Sequence, residues 1–156
     1  MFFEEDDFYV PTSGKFANRS RARAAAFQIL YQEELNPRSS QSRWVDTFLE
    51  QELPDHEEVL RFARTLIEGV RKNQPELDRQ IAEQSRNWSL SRMSVTDRNI
   101  LRQSLYELLY LETPKPVVIS QAIELARSFG SNDSAAFVNG ILDRFNKTKV
   151  SPNQEE

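Results

Sequence analysis

The chain has 156 residues, with 20 Lys and Arg against 24 Asp and Glu and a net charge of −4. A chain of this length fits one domain that buries roughly 68–70% of its unfolded surface, so it needs no covalent staples. With no cysteine and one histidine, His56, it holds neither a disulfide framework nor a thiolate metal site. His56 lies among Asp55, Glu57 and Glu58 at a helix start and reads as a solvated first-turn residue. No apolar run approaches the ~18 residues of a membrane span, and no signal peptide opens the chain. The expected protein is soluble and cytoplasmic.

Residues 1–18 contain Pro11, Gly14 and no helical period, and their acidic cluster Glu4-Glu-Asp-Asp7 is interleaved with aromatics. Composition leaves this arm between a disordered tail and a docking peptide. Asp6 and Asp7 are close enough in sequence to Arg19 to fold back on it, since a dozen residues span up to ~40 Å extended. From Arg19 the pattern turns helical. Ala22, Ala25, Ala26, Ile29 and Leu30 form the buried stripe, while Arg19, Arg23, Phe27 and Tyr31 follow one another at i, i+4. Arg19, Arg21 and Arg23 in the first turns oppose the helix dipole, a local conflict that points toward function.

NPRSSQS (residues 36–42) is a loop. A second helix follows with Trp44, Val45, Phe48 and Leu49 on one face, and Pro54 ends it. A capping-box-like Asp55-His-Glu-Glu58 opens a third helix through Val59, Leu60, Ala63, Leu66, Ile67 and Val70. Asn73-Gln-Pro75 predicts a break and a fourth helix to about Trp88. Ser94-Val-Thr-Asp97 then caps the most apolar helix. Its Ile100, Leu101, Leu105, Leu108 and Leu109 contribute ~1.5–3 kcal/mol each when buried. Val117-Val-Ile119 is too short for a strand. Residues 120–145 read as a helical hairpin: Gly130 turns left-handed at the corner, Asp133 caps the next helix, and Gly140 marks close approach of another backbone. A frayed tail follows Phe145.

The expected class is all-α, about seven helices without a strand or repeat. Residues 19–73 form an N-terminal bundle, 74–146 a C-terminal one, and 147–156 a flexible tail. Carboxylate pairs sit on exposed faces or caps, and no Gly-rich loop follows a strand, so no catalytic constellation and no cofactor site emerges. Three arginines at alternate positions spread around their helix, an arrangement that suits a bent single strand, and Tyr31 can stack a base. Three neutralised phosphates would give a salt slope of only about −2. The plain alternative is a solvated helix start.

RARAAAFQILY near the start, DRNILRQSLYELLY in the middle and AIELARSFGSNDSAAFVNGILD near the end resemble the NusB family of transcription antitermination factors, from roughly Arg19 to Phe145. The resemblance implies two small helical bundles and no enzyme activity. It implies pairing with a small-subunit ribosomal protein, NusE, binding to single-stranded boxA of nascent rRNA, and action within the RNA polymerase antitermination complex. Carried over position by position, the RNA-binding residues fall on Arg19, Arg21, Arg23, Tyr31, Phe129, Asp133 and Phe137. The partner border falls on Asp97, Arg98 and Arg102. The corner would be one wall of the RNA and partner surface and the arginine helix the other. Ser20 and Asn18 interrupt the basic stretch, and Ala136 stands where a basic residue is common. Two alternatives share the fold: a protein-interaction module that homodimerises over its RNA face, and the RNA-binding domain of an rRNA methyltransferase, for which this chain lacks a catalytic domain and a cysteine nucleophile.

Overall fold

The computed structural model describes residues 15–37, 43–54, 56–86 and 88–149. These form six α-helices: α1 (Lys15–Leu35), α2 (Trp44–Glu52), α3 (Glu57–Gln84), α4 (Val95–Tyr110), α5 (Lys115–Phe129) and α6 (Ser134–Lys149). One 3-10 turn, Leu90–Arg92, precedes α4, and the described residues include no strand. The chain divides into two compact units, Met1–Lys72 and Asn73–Glu156.

In the first unit α1 is buried on more than its expected stripe. Every residue from Ala22 to Phe27 is buried, Arg23 included. Alanine at four of these six positions lets α1 be buried well beyond the single stripe of an amphipathic helix. Leu49 of α2 and Ala63, Leu66, Ile67 and Val70 of α3 complete that core. Polar ties hold the edges. Arg64 meets Asp46 at 2.8 Å, joining α3 to α2. Arg71 donates from Nε to Glu33 at 3.0 Å, and this hydrogen bond holds its guanidinium pKa above the ordinary value.

The expected break at Asn73-Gln-Pro75 does not occur, and the third and fourth predicted helices are one. Pro75 lies inside α3. Proline removes the hydrogen bond to the carbonyl of Arg71, but both residues are exposed, so water can serve that oxygen. Leu77 and Ile81 beyond it are fully buried. Their burial, ~1.5–3 kcal/mol each, offsets a proline cost of about 3 kcal/mol. This fusion accounts for six helices where the sequence suggests about seven.

In the second unit α4, α5 and α6 pack on one another. Ser94 caps α4 as expected, its Oγ accepting the Asp97 N–H at 3.0 Å. Ile100, Leu101 and Leu105 are core, but Leu109 is 39% exposed and does not contribute as expected. Val117-Val-Ile119 falls inside α5, which starts after Pro114. Helix boundaries differ at both ends of the chain. α1 starts at Lys15, within the expected arm, and α6 runs to Lys149, into the expected frayed tail. Thr148 explains the latter: it donates to the Arg144 carbonyl at 3.0 Å and accepts from Gln84 at 3.1 Å. Residues 1–14, with Asp6 and Asp7, and residues 150–156 lie outside the described residues.

Candidate nucleic-acid interface

The three arginines of α1 do spread around the helix, and for that reason they meet three environments. Arg19 stays at the surface with its side chain 42% exposed. Its Cζ lies 4.4 Å from the centroid of the Phe62 ring, and its Nη2 lies 3.5 Å from Glu58 Oε1. Arg21 points to α2, donating from Nη2 to the Glu52 carbonyl at 3.0 Å. Glu52 ends α2, so this cation sits where unpaired carbonyls and the helix dipole favour it. Arg23 is 3% exposed, with its Cζ 5.2 Å from the same Phe62 ring.

Arg21 and Arg23 therefore serve the packing of the unit, and Arg19 presents its guanidinium at the surface. The dipole conflict expected from the sequence is relieved because α1 starts at Lys15, which puts all three arginines beyond its first turn. Tyr31 is half-buried, its ring 6.0 Å from that of Phe27 at 44°. Phe62 and Glu58 are absent from the sequence-derived site. Phe62 fits the period of the α3 stripe, but periodicity does not say which α1 side chain it meets.

The corner between α5 and α6 lies in the second unit, and its geometry corrects two expectations. Gly130 is not left-handed: its φ is −96° and ψ −173°. It is needed for room, because a β-carbon there would collide with Ser134 and stand 2.7 Å from the Ala126 carbonyl oxygen. Nor is the corner closed by the Asp133 carboxylate. Buried Ser134 closes it, its Oγ accepting the Ser131 N–H at 3.0 Å and its own N–H donating to the Ser131 carbonyl at 3.1 Å. Asp133 is left exposed, its backbone carbonyl accepting the Phe137 N–H at 3.1 Å. Phe129 and Phe137 flank it half-buried, while Ala136 is exposed and Phe145 is core. Among the described residues Gly140 does not mark a close approach, since nothing there lies within 4 Å of the position its β-carbon would take.

In the α4 set Arg98 and Arg102 are engaged within the chain. Arg98 donates from Nη1 to the carbonyls of Leu90 at 2.7 Å and Met93 at 3.0 Å, pinning the 3-10 turn. Arg102 is 5% exposed and grips Asp78 of α3 through two hydrogen bonds of 2.7 and 3.0 Å. Asp97 is partly exposed, with its Oδ1 buried. Among the described residues no group of three His, Cys, Asp or Glu could hold a metal ion. No described helix is long and apolar enough to cross a membrane.

Residues 20–147 match the NusB family. A transcription antitermination protein NusB of Geobacter sp. (strain M21) is 42% identical over 137 residues, covering 83% of this chain and 94% of the relative. The solved NusB of T. maritima superposes with a TM-score of 0.73 at 37% identity, covering 88% and 97% of the two chains. A NusB solved with NusE and dsRNA has a TM-score of 0.73 over 86% and 98% of the chains, and at 21% identity it carries the fold alone. The chain belongs to the NusB family.

Proposed function

We propose that this protein is a non-catalytic, RNA-binding transcription antitermination factor. In this reading it pairs with the small-subunit ribosomal protein NusE, binds the single-stranded boxA element of nascent rRNA, and acts with RNA polymerase against termination on rRNA operons. The observation that carries the reading is the family match across residues 20–147, joined to a 42% identical relative that bears the antitermination name.

The geometry supports a narrower set of contacts within this reading. In the first unit Arg19 supplies the phosphate contact and Tyr31 the stacking surface. In the second unit Phe129 and Phe137 offer ring surface, and the exposed Asp133 carboxylate accepts from base amino groups or a 2′-hydroxyl. One exposed arginine neutralising one phosphate contributes a salt slope of about −0.7, not the −2 of three. Weak binding by the protein alone follows, and most of the affinity comes from the partner. On α4 the partly exposed Asp97 is the proposed partner contact, while Arg98 holds the 3-10 turn and Arg102 holds Asp78.

The test is a titration of boxA RNA and a scrambled strand against the protein with and without the ribosomal partner. Preference for boxA that strengthens with the partner supports the reading. Equal binding to both strands by the complex would overturn it.

A further inference from the structure

We propose that Phe62 positions Arg19 for phosphate, so that the phosphate contact of the first unit is set by three residues, Arg19, Phe62 and Glu58. The inference rests on the RNA reading above and adds how its one surface arginine is held. A surface arginine on a helix ordinarily samples many rotamers, and ordering it on a ligand costs conformational entropy. Here the guanidinium carbon lies 4.4 Å from the centroid of the Phe62 ring, within cation–π range.

The ring itself is fixed. Phe62 is buried on α3, and its face also meets buried Arg23 at 5.2 Å. Core filling alone does not ask for an aromatic at this position, since leucine or methionine would supply comparable apolar volume. A ring adds the negative face that a cation needs. Glu58 Oε1, 3.5 Å from Arg19 Nη2, marks where an anion sits against the held guanidinium. A phosphate oxygen arriving there meets an arginine already turned to receive it.

The test measures fluorescence anisotropy of labelled single-stranded boxA RNA against the full chain with its ribosomal partner, at low salt. Phe62→Leu should weaken binding about two- to fivefold, the size of an exposed cation–π contact. Phe62→Tyr, which keeps the ring, should restore it. In an Arg19→Gln background Phe62→Leu should cost nothing further, because the ring acts through Arg19; a residue of purely structural effect would add its loss in full. Should leucine unfold the unit, Phe62→Met fills a similar volume without a ring and gives the same comparison. Wild-type affinity in the ring-free variants, full additivity with Arg19→Gln, or an Arg19→Gln variant that binds normally would each overturn the positioning role. Failure of the wild-type complex to prefer boxA over a scrambled strand would instead remove the RNA reading and the inference with it.

Discussion

Ser134 occupies, with its side chain, the space that a β-carbon at Gly130 would need. The serine also closes the corner by accepting the Ser131 N–H, so it cannot move without opening the turn. Gly130→Ala should therefore destabilise the protein by about 1–3 kcal/mol, the range for an added methyl group in a packed site. Gly140→Ala should do the reverse. Among the described residues its β-carbon meets nothing within 4 Å, and alanine is favoured over glycine in a helix by up to about 1 kcal/mol. Urea denaturation of the two variants should move the midpoint in opposite directions.

Arg102 and Asp78 form the buried ion pair of the second unit, with side chains 6% and 23% exposed. Removing one partner of such a pair leaves a charge in poor solvent and costs roughly 3–5 kcal/mol, and the partial exposure of Asp78 puts this case at the lower end. Asp78→Asn and Arg102→Met should each lower stability by about 3 kcal/mol. The double variant should recover much of that loss, because neither charge remains stranded. If instead Arg102→Met left stability unchanged and weakened only the association with the ribosomal protein, Arg102 would belong to the partner surface after all.

The elements that sequence patterning located well are those where local and tertiary preferences agree. Ser94 and Asp97 form the expected cap, Ile100, Leu101 and Leu105 the expected core, and the hairpin corner lies where Gly130 puts it. Where the sequence reading diverges, a long-range contact overrides a local rule. Pro75 signals a break, but buried Leu77 and Ile81 hold α3 together through it. Asp133 has the chemistry of a cap, yet Ser134 does the closing. The arginines of α1 are the clearest case for the site. Their spacing gives directions around a helix, but the Glu52 carbonyl that takes Arg21 and the Phe62 ring that meets Arg19 and Arg23 come from elsewhere in the chain.

Tyr106 and Tyr110 stack at the end of α4, with ring centroids 5.1 Å apart and planes at 24°. Burial, with Tyr110 beside it, holds the Tyr106 hydroxyl above its ordinary value of 10.0. Above that pH the unfolded chain gives up the proton first, so the unfolded state binds fewer protons and stability falls as pH rises. The contribution is intact below pH 10.0 and is lost through the folded value above it. Absorbance titration of tyrosinate should show a late-ionising group that Tyr106→Phe removes. The same variant should soften the alkaline loss of stability; a titration unchanged by the substitution would contradict the assignment.

If Arg19 takes a phosphate as proposed, Glu58 is its competitor for that arginine. The pair is 3.5 Å apart with side chains 42% and 72% exposed, so it contributes roughly 0–1 kcal/mol and is easily exchanged. An incoming phosphate must displace the carboxylate and then lie beside it. Glu58→Gln removes both penalties and should tighten RNA binding about two- to fivefold at low salt, at an expense of ~0.3–1 kcal/mol in helix stability from the lost first-turn charge. The gain should shrink as ionic strength rises past 0.15 M, where exposed charges are screened within about 8 Å. Glu57→Gln is the control, since it changes net charge equally on the neighbouring first-turn residue. A gain specific to Glu58 would identify the Arg19 pair as the competitor, whereas equal gains from both variants would mean that overall charge sets the affinity.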